Sequence, residues 1–199
     1  MRIQPDGQIP LFADSAFDAT PSPRAVLQQA RSVLKNPATE ISLEASVRYA
    51  VDKLDSCERH DRSVRRLGDY WVCREADRFL IFDGGPVAPD HLPAHGHADL
   101  LTIEASVGSE RLLVDSGTCC YEPGSMRNYC RSTAAHNTLL VDGADQCDTW
   151  SSFRMGHRGH PVDFATGEWG PVAWARASHD AYGRHGVPRV TRWIASVAN

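Results

Sequence analysis

From Ser63 onward the chain is cut into short segments of alternating or β-branched residues, and this texture limits the folds open to it. The segments are Val64–Cys73, Phe79–Phe82, Leu100–Val107, Arg111–Val114, Thr138–Val141 and Val172–Ala177, parted by turn signals such as Val107-Gly108-Ser109 and Asp142-Gly143. Each strand needs a neighbour for its backbone groups and a second layer for its apolar side. Several at this spacing predict a mainly β protein built as an antiparallel sheet or sandwich. Val190–Val197 is a further apparent strand with no return partner, so more strands are expected downstream.

Residues 1–60 read differently. Ser22 and Pro23 form an N-cap and first-turn pair. Ala25, Val26, Leu27, Ala30, Val33 and Leu34 follow at helical spacing, and Asn36-Pro37 closes the run. Leu43, Val47, Ala50, Val51 and Leu54 make a second helical pattern. Two short helices cannot bury their apolar faces against each other alone, so a larger helical body is expected upstream. The division expected is a helical segment over 1–60 and a β domain over 61–199.

Composition removes several classes of function. With 42% hydrophobic and 23% charged residues the chain has ordinary globular make-up. A net charge of −4 gives no global positive field for nucleic acid or an anionic membrane, so an acidic ligand would have to meet a local patch. No stretch approaches the roughly 20 apolar residues of a membrane span. Met1 is followed by RIQPDGQIP, which lacks the apolar region of a signal peptide. The six cysteines (Cys57, Cys73, Cys119, Cys120, Cys130, Cys147) contain no CxxC pair and read as free thiols.

The chemistry concentrates between His91 and Asn137. His95 and His97 lie two apart and would face the same way on a regular strand. Pro93 and Gly96 allow the backbone to deviate, so the imidazoles can diverge. Asp115 ends one predicted strand and His136 begins another, and strand ends are where distant residues can converge. Two imidazoles and a carboxylate suit a divalent ion such as zinc, with a third imidazole free for proton transfer. Each residue has a plainer role too: Asp115 before Ser116-Gly117 can close an Asx-turn, and any of the histidines can be a core residue.

Tyr121 and Tyr129 offer phenols, and Arg127 and Arg131 offer planar donors suited to carboxylates or sulfates. Arg154, His157, Arg158 and His160 form a second basic group, with a solvated face as its plain reading. His179-Asp180 with Tyr182 reads as a structural cluster. Cys119-Cys120 has no His–Asn/Asp order to make a nucleophile of it. Phosphate loops, GxSxG and HExxH are all absent from the sequence.

HLPAHGHADLLTIEASVGSERLLVDSGT followed by RNYCRSTAAHNTLLVDG resembles the C-terminal domain of the heparinase II/III-like polysaccharide lyases, a superfamily that also holds alginate and oligoalginate lyases. The likeness runs from about Ser63 to Tyr182. It implies an antiparallel β-sandwich preceded by the last part of an (α/α) toroid, with a cleft between them. It implies one structural zinc on His97, Asp115 and His136, with His95 and either Tyr121 or Tyr129 lining the cleft. Arg127, Arg131 and Arg154 would meet the substrate, an acidic polysaccharide cleaved by β-elimination. Other catalytic groups of the family come from the toroid and have no counterpart here. The resemblance also implies a periplasmic or secreted setting. A non-catalytic carbohydrate-binding domain with a stabilising metal is the second expectation, and a cupin-like metal hydrolase the third. His95 separates the first two: it should face an open cleft in a lyase and be buried or dispensable in a binding module.

Overall fold

A computed structural model describes residues 6, 8–15, 25, 28 and 62–198. Among the described residues, eight strands form two antiparallel sheets. β1 (Arg62–Leu67), β2 (Tyr70–Glu75), β3 (Arg78–Asp83), β4 (Ile103–Val107) and β5 (Glu110–Leu113) pair in chain order as a five-stranded meander. β6 (Pro161–Trp169), β7 (Val172–His179) and β8 (Val190–Val197) form the second sheet. Long connections between β3 and β4 and between β5 and β6 carry short 3₁₀ turns and one helix, Ser125–Cys130.

Alternation along β2 and β3 sorts side chains to two faces. Trp71, Cys73 and Phe82 join Leu100, Leu101, Ile103 and the alanines of β7 (Ala173, Ala175, Ala177) in the core between the sheets. Val72, Phe79 and Ile81 point to the opposite face and pack with Phe12. The five-stranded sheet is therefore covered on both sides, by the second sheet and by residues 8–15. Phe12 stacks on Tyr70 with centroids 5.8 Å apart and the rings nearly parallel. The alanine row of β7 leaves room for the rings of Trp71 and Phe82, and Phe82 meets Phe164 edge-on at 6.0 Å.

The structure corrects several sequence expectations. Residues 8–15 are extended and turned rather than helical: Pro10 and the covering role of Phe12 suit an open backbone, and the Leu11 amide donates to Glu104 Oε1 at 2.7 Å. Of the two helical patterns, only Ala25 and Gln28 are described, and both are helical; the rest lies outside the described residues. Val64–Cys73 is not one strand but the hairpin β1–β2, turned at Gly68-Asp69 with Gly68 at φ +62°. β4 starts only at Ile103 because Leu101 takes a positive φ of 62°.

Thr138–Val141 is not a strand either. The Leu139 carbonyl accepts from the Tyr182 hydroxyl at 2.8 Å and from Gln146 Nε2, so side chains replace a neighbouring backbone. Val141 bridges Ala144 across Asp142-Gly143, both with positive φ as a tight primed turn requires. β6 was hidden in the sequence by its polar and glycine content. Val190–Val197 does have a partner: it pairs with β7 along its whole length. No described helix is long and apolar enough to cross a membrane.

The alanine row sets the spacing between the sheets. Ala175→Leu is expected to overpack this layer and cost about 1–3 kcal/mol, read as a lower urea midpoint at unchanged slope.

Candidate functional site

Pro93 opens a 3₁₀ turn over Pro93–His95, and Gly96 ends it with its amide donating to the Pro93 carbonyl at 3.2 Å. A Cβ at Gly96 would meet the Val87 carbonyl at 2.7 Å, so glycine lets this loop lie against its neighbour. The turn splits the two histidines: the His95 side chain is 56% exposed and that of His97 is 0% exposed. They meet again on one carboxylate. His95 Nδ1 lies 2.6 Å from Asp14 Oδ2, and His97 Nε2 lies 2.8 Å from Asp14 Oδ1.

Asp14 also receives the Arg127 guanidinium, whose Nη1 reaches Oδ1 and whose Nη2 donates to Oδ2 at 2.8 Å. Burial opposes its ionisation, but the hydrogen bonds from His97, Arg127 and His95 prevail and hold the carboxyl far below the usual carboxylate range. The residues around Asp14 are fixed by Gly117, which has φ +54° and whose missing Cβ lets the Ser15 carbonyl approach. That carbonyl accepts from the Thr118 amide at 3.1 Å.

Asp115 follows β5 and does close an Asx-turn, accepting from the Gly117 amide at 3.0 Å. Both of its oxygens also lie 2.9 Å from His136 Nδ1, and Thr102 Oγ1 donates to Oδ2. His136 leaves a 3₁₀ turn over Thr133–Ala135, not a strand. Its ring lies 5.1 Å from that of His97. Among the described residues, His97 Nδ1 and His136 Nε2 are buried with no hydrogen-bond partner.

One ligand atom each from His97, Asp99 and His136 lie within 4.8 Å of one another. Two unpartnered buried ring nitrogens beside a carboxylate fit a divalent cation, and imidazole with carboxylate suits zinc. Burial lowers the His97 pKa, keeping that ring neutral as a ligand must be. Burial works against the charged form of His136 too, but the Asp115 hydrogen bond and the Asp99 charge raise it. Burial pushes Asp99 up to about 6.

The remaining predicted residues divide. Tyr121 is exposed, donates to the Asp14 backbone carbonyl at 3.0 Å and sets its ring 6.4 Å from that of His95. Tyr129 is also exposed, on the helix, and no described ring contact joins it to His95. Arg127 and Arg131, expected to meet a substrate, are wholly buried among the described residues. Besides Asp14, Arg127 donates to Thr118 Oγ1 and the Ser152 carbonyl. Arg131 donates to the carbonyls of Gly96, Ser151 and Pro93. Arg154 remains exposed, over the Trp150 ring.

His179 is buried, accepts from the Ala181 amide at 3.2 Å and packs on Tyr182. Sequence reasoning passed over Asp99, although it stands two residues after His97, and Asp14, which lies in a segment read as helix.

A family model described as Heparinase II/III-like, C-terminal, matches residues 59–198. No curated protein matches the sequence. Among solved structures, the chain is similar to a heparinase III, the BT4657 gene product, with 19% identity and a TM-score of 0.62 over 97% of this chain and 28% of that one. It is similar to heparan sulfate lyase HepC from Pedobacter heparinus, with 16% identity and a TM-score of 0.60 over 98% of this chain and 28% of that one. The chain thus spans 28% of the length of these structures, and the likeness is one of fold.

Asp14→Asn should leave the Arg127 charge buried without its counter-ion and cost about 3 kcal/mol at pH 7. A carboxyl whose folded pKa is depressed contributes its stability above the unfolded value and loses it as pH falls. The difference between wild type and variant, read from thermal unfolding, should therefore be full at pH 7 and shrink progressively below about 4.

Proposed function

Because the chain belongs to the heparinase II/III-like family through its C-terminal domain, we propose that it is part of a polysaccharide lyase that cleaves a uronic-acid-containing polysaccharide by β-elimination. One observation carries this reading: His95 is exposed beside Tyr121, and Asp14 fixes both, holding the imidazole by its Nδ1 and the phenol by its backbone carbonyl. A module that only bound sugar would have no need of an exposed imidazole whose second nitrogen is held by a carboxylate.

β-Elimination removes the proton α to the sugar carboxylate, forms a C=C bond and breaks the bond to the glycosidic oxygen. With Nδ1 donating to Asp14, His95 presents Nε2 outward as an acceptor, able to take or relay a proton. Tyr121 offers a phenol next to it for hydrogen bonding to the sugar or the leaving oxygen. Arg154, exposed over Trp150, would meet the acidic chain. In this reading the helical patterns between Ser22 and Leu54 end an (α/α) toroid that would supply the opposite wall of the cleft and further catalytic groups, and the protein works in the periplasm or outside the cell.

A zinc ion would be held by His97 and His136 with a carboxylate, Asp115 as the resemblance implies or Asp99 as the clustering of ligand atoms favours. Its role is structural: it would lock the loops behind His95. With His97 on Asp14 as well, the buried centre and the exposed imidazole share one carboxylate.

In the complete protein, His95→Ala should leave folding intact and lower turnover at least about 100-fold, followed by the ultraviolet absorbance of the conjugated unsaturated uronate. Wild-type turnover would remove His95 from the chemistry. Elemental mass spectrometry should find about one zinc per chain, lost in His97→Ala; a parallel loss in Asp99→Asn or in Asp115→Asn identifies the carboxylate ligand.

A further inference from the structure

Three thiols meet beside this site, and no step above uses them. Cys119 and Cys120 follow Thr118 in the loop that leads to Tyr121, and Cys130 ends the helix that carries Arg127. Cys119 Sγ lies 3.6 Å from Cys130 Sγ and 3.7 Å from Cys120 Sγ. Cys119 is exposed and Cys130 is buried, so one sulfur of the nearer pair is open to a reagent while the other is held in place. We infer that Cys119 and Cys130 form a reversible disulfide that clasps the loop bearing Tyr121 to the helix bearing Arg127.

A disulfide bond is about 2.05 Å long, so these sulfurs must approach by about 1.6 Å to bond. Cys119–Cys120 is the nearly equidistant alternative, but linking adjacent residues closes a strained eight-membered ring and distorts the planar peptide between them.

Formation needs an oxidant, here the disulfide of glutathione or of a thiol–disulfide oxidoreductase. The Cys119 thiolate attacks a sulfur of that acceptor and displaces one acceptor thiol. The Cys130 thiolate then attacks Cys119 Sγ, forms the Cys119–Cys130 bond and displaces the second. Two S–H bonds are lost in the chain, and the acceptor gains both electrons and both protons as two thiols.

The closed loop encloses Tyr121 and Arg127, the residues that grip the Asp14 backbone and side chain. The helix they depend on spans six residues and has no side-chain N-cap bond, so it has little stability of its own. A covalent tie at its last residue would hold Arg127 on Asp14, and through Asp14 the His95 ring. This consequence for catalysis rests on the lyase reading; the bond itself rests only on the sulfur geometry.

The test equilibrates the complete protein with oxidised glutathione or with dithiothreitol, blocks free thiols with N-ethylmaleimide and maps peptides by mass spectrometry. A Cys119–Cys130 link in the oxidised sample alone is expected, together with a melting temperature about 5 °C higher. Cys119→Ser, a change at an exposed position, should abolish both differences. Free Cys119 and Cys130 after oxidation, or a Cys119–Cys120 link, would overturn the proposal. Turnover of an acidic polysaccharide should be several-fold greater in the oxidised form. If the link forms but neither form cleaves polysaccharide, the clasp stands and the lyase reading falls. If both forms are equally active with all thiols free, the lyase reading stands and the clasp falls.

Discussion

The carboxylate of Asp14 is the interaction on which the site depends. It is largely buried, and it is bonded to two imidazoles and a guanidinium at once. Burial alone would protonate it, but charge-assisted hydrogen bonds in a poorly solvated setting outweigh that cost. The same setting makes the arrangement intolerant of loss: Arg127 has no exposure to water and would keep its charge with no counter-ion. One residue from the strap over residues 8–15 thereby joins three separate parts of the domain, the His95–His97 segment and the Ser125–Cys130 helix by its side chain and the Tyr121 loop by its backbone carbonyl.

The two buried arginines explain how a site made of loops can hold its shape without ladder hydrogen bonds. Loop carbonyls have no strand neighbour, and a buried carbonyl left unpaired is costly. Arg131 takes up four such groups, from Gly96, Pro93, Ser151 and Arg154, while its own carbonyl accepts from the Ala98 amide at 3.0 Å. A guanidinium suits this work because its donors form a rigid planar fork and it stays charged when desolvated. In the sequence these arginines read as planar donors suited to carboxylates or sulfates, and the family resemblance implied that they meet a substrate. The presence of several loop carbonyls at one point is a property of the fold, not of the local sequence.

What was legible in the sequence follows from the range of the physics involved. Alternation is local, so β3, β5, β7 and β8 could be read directly, and the glycine inside the HxH pair left room for its two imidazoles to diverge. β6 could not be read, because a strand over PVDFATGEW gains its stability from pairing with β7 and from Phe164 meeting Phe82. Thr138–Val141 failed in the opposite sense: its pattern suits a strand, yet Tyr182 and Gln146 claim the Leu139 carbonyl from far along the chain. Asp14 was invisible for the same reason. It lies 81 residues from His95 and 113 from Arg127, so nothing near it in sequence marks its role.

The two carboxylates beside His136 show how one cluster can serve both binding and orientation. Asp115 reaches Nδ1 of that ring with both oxygens, which turns Nε2 toward His97 and leaves it unpartnered. On the far side Asp14 holds His97 by Nε2, which leaves Nδ1 as the unpartnered atom there. Each ring thus has one nitrogen bonded to a carboxylate and the other free inside the protein. This is the pattern expected when outer carboxylates fix ligand rings around a cation. With Asp99 buried beside the free atoms, a cation at this point would satisfy three groups that otherwise remain costly to bury.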